Sequence, residues 1–238
     1  MITTRFDIPP LPILAARLAA ARASAWFRQA AVALGLRRQA EFRLADLTIP
    51  DSQIVRRATA LTSEVSPPFL LNHCLRTYLF GAAIGMRDGL RFDRELLYLA
   101  AIFHDLGFTE RFRGPDAFEL EGARAARSFL LEHGFAPPHA DLVHEAIALH
   151  TSIGVAAERE PEIALVQAGS GFDVVGLRFE DISRASVHEI VTAHPRLHMK
   201  RELLAAAGPA LRNRRGCPMS ALMRLGFAGF VRRAPFAE

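Results

Sequence analysis

LLYLAAIFHDLG, residues 96–107, is the stretch that decides the fold of this chain. Its run of large apolar residues predicts a buried helix that ends at His104 and Asp105, with Gly107 placed to close it in the left-handed conformation. A carboxylate at the end of so apolar a segment is costly to bury unless a partner compensates its charge. A divalent metal ion suits an adjacent imidazole and carboxylate, so the stretch predicts a helical protein with a metal centre at one helix end.

Two further polar residues stand inside apolar, helix-like runs. His73 lies in the run FLLNHCLRTY, and Asp173 lies in the Gly-rich run IALVQAGSGFDVVG. With His104 and Asp105 they supply two imidazoles and two carboxylates, a donor set that suits a borderline divalent metal. We therefore expect His73, His104, Asp105 and Asp173 to bind one divalent metal ion, zinc first, with iron or manganese as alternatives.

The order His, then His-Asp, then Asp on successive predicted helices resembles the HD-domain metallohydrolases, and among them the cyanamide hydratase-like branch. Four segments of that branch, N-H-x-x-R-T/V-Y/F, L-x-H-D-x-G, F-E-x-x-G-A/G and x-D-x-x-G, stand here at Asn72 to Tyr78, Ile102 to Gly107, Phe118 to Ala123 and Phe172 to Gly176. The resemblance covers residues 50–215. It implies an all-α fold, a metal cofactor and a small-molecule substrate, which in the hydratase-like branch is a nitrile.

The resemblance also bears on the number of metals and on the pocket. Many HD proteins carry a histidine for a second metal at the position that Phe118 holds here. We therefore predict a mononuclear centre and a small, partly apolar pocket, with Phe118 against the substrate. Asn72 and Arg76 are further candidates for substrate binding. Arg76 follows His73 by three residues and so lies on the same helical face.

Three residues are candidates for catalysis by proton transfer. Asp105 can accept a proton from water while it binds the metal, and His150 can act as an acid or base in the pocket. Glu119 matches the F-E of the hydratase-like segment. It can orient the substrate, pass a proton or hydrogen-bond a metal-binding imidazole, and the alternative is a solvated glutamate at a helix start.

Composition and periodicity favour an all-α protein, and the resemblance implies an HD-type helical bundle, here with an N-terminal helical arm. Half of the 238 residues are hydrophobic, which is enough for a substantial core, and no segment shows sustained period-two alternation. We expect an arm at residues 1–50, an HD domain at 51–215 and a C-terminal helical extension at 216–238. The arm holds none of the candidate site residues, so it is expected to be dispensable for the chemistry.

Charge is distributed unevenly along the chain. The middle, residues 51–195, carries a net charge of −7, whereas residues 1–50 carry +4 and residues 196–238 carry +7. Basic ends can bind nucleic acid or an anionic membrane. No nucleic-acid-binding motif is present, so we expect no nucleic-acid partner and favour solvated arginine faces. The acid-free helix predicted at residues 13–34 is expected to pack on the domain or in a homodimer, with membrane-surface association as the alternative.

Neither a transmembrane helix nor a signal peptide is expected. The longest uncharged run, residues 146–157, has twelve residues, whereas a spanning helix needs about twenty. Cys74 and Cys217 make no disulfide framework and fit a reducing compartment. Together these features predict a cytoplasmic protein.

Three functions are compatible with these residues. The first is a mononuclear metal enzyme that adds activated water to a small electrophile such as a nitrile. The second keeps the metal but hydrolyses a nucleotide or another phosphoester, with a phosphate clamp made of Arg76, Arg111 and Arg113. The third is a non-catalytic scaffold or binding module, which the retained candidate ligands argue against. We expect small neutral electrophiles to be preferred over nucleotides.

Overall fold

Helices form every long element of the computed structural model, which describes residues 5–6, 8–211 and 217–238. The described residues contain no strand, only an isolated bridge between Ala40 and Ile182, so the all-α prediction is confirmed. In chain order the helices are α1 (Leu11–Ala33), α2 (Gln53–Val65), α3 (Pro68–Arg87), α4 (Arg94–Phe103), α5 (Phe118–Glu132), α6 (Pro137–Leu149), α7 (Pro161–Val175), α8 (Arg184–Ala193), α9 (Met199–Leu211), α10 (Pro218–Arg224) and α11 (Phe227–Arg233).

Helix α4 lies at the centre of the bundle. Asp93 caps its N-terminus by accepting hydrogen bonds from the backbone N–H groups of Glu95 and Leu96. All eight residues from Leu96 to Phe103 are buried, because α2, α3, α5, α6 and α7 surround the helix. The predicted apolar helix is therefore confirmed.

Helices α3 and α7 approach each other closely enough to bring distant residues together. A Cβ atom on Gly169 of α7 would lie 2.1 Å from the carbonyl oxygen of Thr77 on α3. Only glycine permits this separation, so the Gly-rich sequence of α7 is explained by backbone packing. The close approach places Asp173 beside His73.

Gly107 has a different role from the one its position predicts. It lies in a 3₁₀ turn, Leu106–Phe108, and is not among the glycines with positive φ. A Cβ atom there would lie 2.0 Å from the carbonyl oxygen of Phe118. The residue is therefore glycine because the start of α5 packs directly on the turn that carries Asp105.

Both terminal segments contact the central bundle. Helix α1 is held by arginines: Arg17 donates to the carbonyl oxygen of Ile153 at 2.8 Å, and Arg28 pairs with Glu180. At the other end Phe236 is buried. The division into arm, domain and extension stays a prediction. None of the helices in the described ranges has the length and apolar character needed to cross a bilayer.

Candidate metal centre

His73, His104 and Asp105 converge on one buried point. The Nε2 atoms of His73 and His104 lie 3.1 Å apart, and Oδ2 of Asp105 lies 3.5 Å from the first and 3.3 Å from the second. The neighbours His104 and Asp105 can face the same point because α4 ends at Phe103 and Asp105 adopts φ −107°, ψ 12°. The expected convergence at a helix end is therefore present.

The hydrogen bonds of the two imidazoles leave their Nε2 lone pairs facing each other. Nδ1 of His73 lies 2.7 Å from Oδ2 of Asp173, and Nδ1 of His104 lies 2.7 Å from the carbonyl oxygen of Ala101. Because both Nδ1 atoms face acceptors, they carry the ring protons in the neutral tautomers. Two lone pairs and a carboxylate that face one point repel one another unless a proton or a metal cation lies between them.

The separations fit a divalent ion. Donor atoms about 2.0–2.2 Å from a tetrahedral zinc ion lie roughly 3.3–3.6 Å from each other, close to the three distances between these side chains. Among the described residues, the ligand atoms of His73, His104 and Asp105 all lie within 4.8 Å of one another, close enough to hold one metal ion. The donor set, its spacing and its burial therefore suit one divalent metal ion.

Asp173 lies behind His73 rather than in this group. Its Oδ1 accepts from Nε of Arg76 at 2.8 Å and from Arg196 at 2.7 Å, and its Oδ2 accepts from Arg76 at 2.8 Å as well as from His73. The sequence predicts a metal ion as the partner of this buried carboxylate. Two buried guanidinium groups supply the positive charge instead, and they hold the pKa of Asp173 far below its ordinary value despite burial.

Arg76 is consequently not available to a substrate. It is fully buried and also donates to the carbonyl oxygens of His194 and Pro195. Asn72 likewise donates to the carbonyl oxygen of Pro195, at 2.8 Å. Both residues, expected at the substrate, connect α3 to the segment that precedes α9.

His150 completes the polar side of the centre. Its Nδ1 lies 2.6 Å from the carbonyl oxygen of Ile147, and its Nε2 lies 3.6 Å from Oδ1 of Asp105. Burial and the nearby His104 lower the pKa of His150 to about 4. His150 is therefore a neutral base at pH 7, with Nε2 directed toward Asp105.

The charges of the ligand group are coupled. Burial opposes ionisation of His104 and Asp105, but their mutual attraction outweighs it, so the pKa of His104 is raised and that of Asp105 is lowered. Burial is the main cause of the lowered pKa of His73. Asp105 is therefore an ionised carboxylate, the form that binds a metal.

Glu119 lies outside the cavity at the metal centre. Its carboxylate is fully buried and accepts from the Thr151 hydroxyl at 2.7 Å and from the Cys217 thiol at 3.3 Å. Burial raises the pKa of Glu119, and it raises the pKa of Cys217 to about 12. Glu119 is therefore connected to the cavity through Thr151, which lines it, and to the start of the C-terminal segment through Cys217.

A cavity of about 280 Å³ adjoins the metal centre. His73, Asp105 and His150 lie at one side, and Phe118 forms a wall, stacked on Phe108 with 3.9 Å between ring centroids. Most of the remaining lining is apolar and comes from α1, α7, α9, α10 and α11: Leu18, Ala21, Ala25, Val174, Val175, Leu203, Leu204, Ala207, Met219, Leu222, Phe227 and Phe230. Its polar members are Arg22, Thr151, Gln167 and Ser170.

Helix α1 lies directly over this cavity, contrary to the expectation that residues 1–50 have no part in the site. The sequence signal was weak, because Leu18, Ala21 and Ala25 are ordinary core-type residues. Phe108 and Arg196 were missed as well. Arg111 and Arg113, the proposed clamp, point elsewhere: the first pairs with Glu64, and the second donates to the carbonyl oxygen of Phe108.

The fold and the centre together define an all-α protein built around a His and His-Asp metal site. The model of the HD domain family matches residues 70–206, more than half of the chain, and the chain belongs to this family. HD domains bind divalent metals, in agreement with the buried His-His-Asp group.

Two kinds of curated protein are similar to the chain. The chain is 37% identical over 118 residues to the bifunctional uridylyltransferase/uridylyl-removing enzyme of Vibrio vulnificus. This aligned region covers 47% of the chain but 13% of that enzyme. It is 28% identical over 155 residues to cyanamide hydratase DDI2 of Saccharomyces cerevisiae. This aligned region covers 63% of the chain and 68% of the hydratase. The chain thus matches 8–13% of the length of these uridylyltransferase relatives.

Proposed function

We propose that this protein is a metal-dependent hydratase that adds water to the carbon–nitrogen triple bond of a small neutral nitrile. The observation that carries the proposal is a His73–His104–Asp105 centre beside a mainly apolar cavity whose described lining includes one arginine, Arg22, and no lysine. Such a cavity favours a neutral ligand, because it offers little to compensate several phosphate charges. The similarity to cyanamide hydratase DDI2 supports the reaction class.

His73, His104 and Asp105 would hold the divalent ion, zinc first, with iron or manganese as alternatives. When bound, the ion supplies Lewis acidity, which makes water nucleophilic near neutral pH. Asp105 has a second role because its Oδ1 faces Nε2 of His150 at 3.6 Å. It can accept a proton from the attacking water and share it with that imidazole.

His150 returns the proton to the product. Its pKa of about 4 makes it a neutral acceptor at pH 7, and its Nδ1–H stays fixed on Ile147. Hydroxide adds to the nitrile carbon, the proton goes to the nitrogen, and tautomerisation gives an amide or a urea. The Phe108–Phe118 pair limits access of water and orients the apolar part of the nitrile.

Phosphoester hydrolysis is the second candidate, supported by the similarity to the uridylyl-removing enzymes. The arrangement of cations argues against it. Arg76 is occupied by Asp173, and neither Arg111 nor Arg113 lines the cavity. Among the described lining residues, Arg22 is the one arginine or lysine that could help a metal ion neutralise a nucleotide phosphate.

The test begins with elemental analysis of the purified protein, followed by kcat/KM measurements on metal-loaded samples. Cyanamide, alkyl nitriles and nucleoside monophosphates form the substrate panel, and His104→Ala is the control that removes one donor. We expect one metal per chain, turnover of nitriles, and loss of both in the variant. A higher kcat/KM for nucleotides than for nitriles would rank phosphoester hydrolysis above nitrile hydration. No turnover of either substrate class would favour a binding module.

A further inference from the structure

The outward face of α1 is apolar and exposed, the reverse of an ordinary surface helix. At about 100° per residue, one side of α1 presents only apolar residues to solvent: Ala15, Ala16, Ala19, Ala20, Ala23, Trp26 and Phe27. The charged Arg17 and Arg28 turn inward to Ile153 and Glu180. A helix that only covers its own domain places its charges in water and its apolar side on the core.

Large aromatic side chains dominate this surface. Trp26 and Phe27 are 64% and 65% exposed, and their rings contact each other edge to face with 5.1 Å between centroids. Leu34 and Leu36, just beyond the helix, are 72% and 79% exposed. A concentration of exposed large apolar side chains of this kind marks an interaction site.

Positive charge lies along the side of the patch where α1 meets α11. Helix α11 lies beside α1, with the guanidinium of Arg22 5.1 Å from the Phe230 ring centroid. Arg22, Arg232 and Arg233 are all exposed. The two helices belong to the terminal segments of net charge +4 and +7, whereas the middle of the chain carries −7.

The positive charge beside the patch decides whether a second copy of the chain or a lipid surface covers it. A second copy bound through a two-fold axis would place this basic surface against itself, since both partners use the same patch. An anionic lipid surface instead gains about 1 kcal/mol for each arginine near it, and Trp and Phe are favoured at the headgroup level. We propose that the outward face of α1 docks the protein on an anionic membrane surface.

The single tryptophan of the chain, Trp26, reports on this directly. Its fluorescence should shift to the blue when phosphatidylcholine vesicles that contain phosphatidylglycerol are added to the full chain. Pure phosphatidylcholine vesicles should give little shift, and salt should reverse the anionic response because it screens the arginines. No shift with anionic vesicles, or equal shifts with both kinds, would overturn the proposal.

Matched variants separate docking from altered folding. Ala23→Glu and Ala23→Lys both keep a good helix former on the exposed face, but the glutamate should weaken partitioning onto anionic vesicles by on the order of tenfold relative to the lysine. Phe27→Ser should also weaken it, whereas Leu90→Ser, at an apolar residue 42% exposed elsewhere, should not. Equal partitioning of the two Ala23 variants would contradict lipid docking. Lipid docking would also be contradicted if, without vesicles, the blue shift grew with protein concentration and sedimentation showed a dimer. A second copy of the chain would then cover the patch.

Discussion

Asp173 is the buried carboxylate on which the position of His73 depends. It joins the imidazole to two guanidinium groups, and its oxygens accept hydrogen bonds from Arg76 and Arg196. Partners of this kind fix the tautomer and orientation of a metal-binding imidazole. The variant Asp173→Asn should behave differently if Asp173 binds the metal directly than if it only positions His73.

Asp173→Asn should weaken metal binding about 10–100-fold without abolishing it. It should also lower the free energy of unfolding of the metal-free protein by about 3–5 kcal/mol, because Arg76 and Arg196 lose their counter-charge. Isothermal titration with Zn²⁺ and urea unfolding in chelator measure the two effects. Asp181→Asn, at another fully buried carboxylate paired with arginines, should lose stability but keep metal affinity. Complete loss of metal from folded Asp173→Asn would instead make Asp173 a ligand, as the sequence predicts.

Glu119 gives the protein a pH dependence that is separate from the metal ligands. Burial raises the pKa of its carboxyl above the ordinary value, so the folded state binds more protons than the unfolded state between the two pKa values. The stabilising contribution is complete below the ordinary pKa of about 4.3 and declines as pH rises through the raised value.

Glu119→Gln should remove this decline. The free energy of unfolding of the parent minus that of the variant should fall as pH rises from about 4, and urea titrations at successive pH values measure it. Glu132→Gln, an exposed change on the same helix, should reproduce the parent profile. A difference that grows with pH would show that the ionised form of Glu119 is the one the fold stabilises.

At the scale of elements, α1 closes the cavity from one side, and the opposite sides of this one helix allow a matched test. Ala25 lines the cavity, whereas Ala23 faces solvent. If the proposed function holds, Ala25→Phe should lower kcat/KM for bulky alkyl nitriles by about tenfold or more while cyanamide turnover changes little, because one added ring fills much of the space beneath α1. Ala23→Phe should leave both unchanged. Equal losses for cyanamide and bulky nitriles would place the substrate path away from α1.

Individual elements also show what the sequence could predict. The α4 run carried enough apolar density to identify a buried helix and its His-Asp end, because those residues are adjacent in sequence. The role of Gly107 could not be predicted, since it depends on where the backbone of Phe118 lies. The inward turn of Arg17 and Arg28 was hidden for the same reason: their acceptors, Ile153 and Glu180, lie far away in sequence.

At the scale of the whole molecule, the two ends of the chain are joined to the centre by contacts that no local pattern reveals. Arg196 bonds Asp173 from the segment before α9, while its guanidinium lies 4.4 Å from the ring centroid of Phe236 and its Nε donates to Glu238 at 3.2 Å. Pattern reading identifies ligand types within helices, but it cannot show that an irregular segment returns to pair with them. The sequence therefore predicts which side chains supply metal-binding atoms better than it predicts which residues hold those side chains in place.

Phe236→Ala tests this long-range support. Phe236 packs among Phe80, Phe172 and Phe179 and is 8% exposed, so its loss should cost about 3–5 kcal/mol of unfolding free energy. It should also weaken Zn²⁺ binding by up to about tenfold, because Arg196 loses the ring that holds it against Asp173. Leu130→Ala, a fully buried change in α5, should cost about 2–5 kcal/mol with metal affinity unchanged. Calorimetric titration with Zn²⁺, at a temperature below the unfolding transitions of both variants, gives the comparison. Equal metal affinities of the two variants would mean that Arg196 holds Asp173 without help from the chain end.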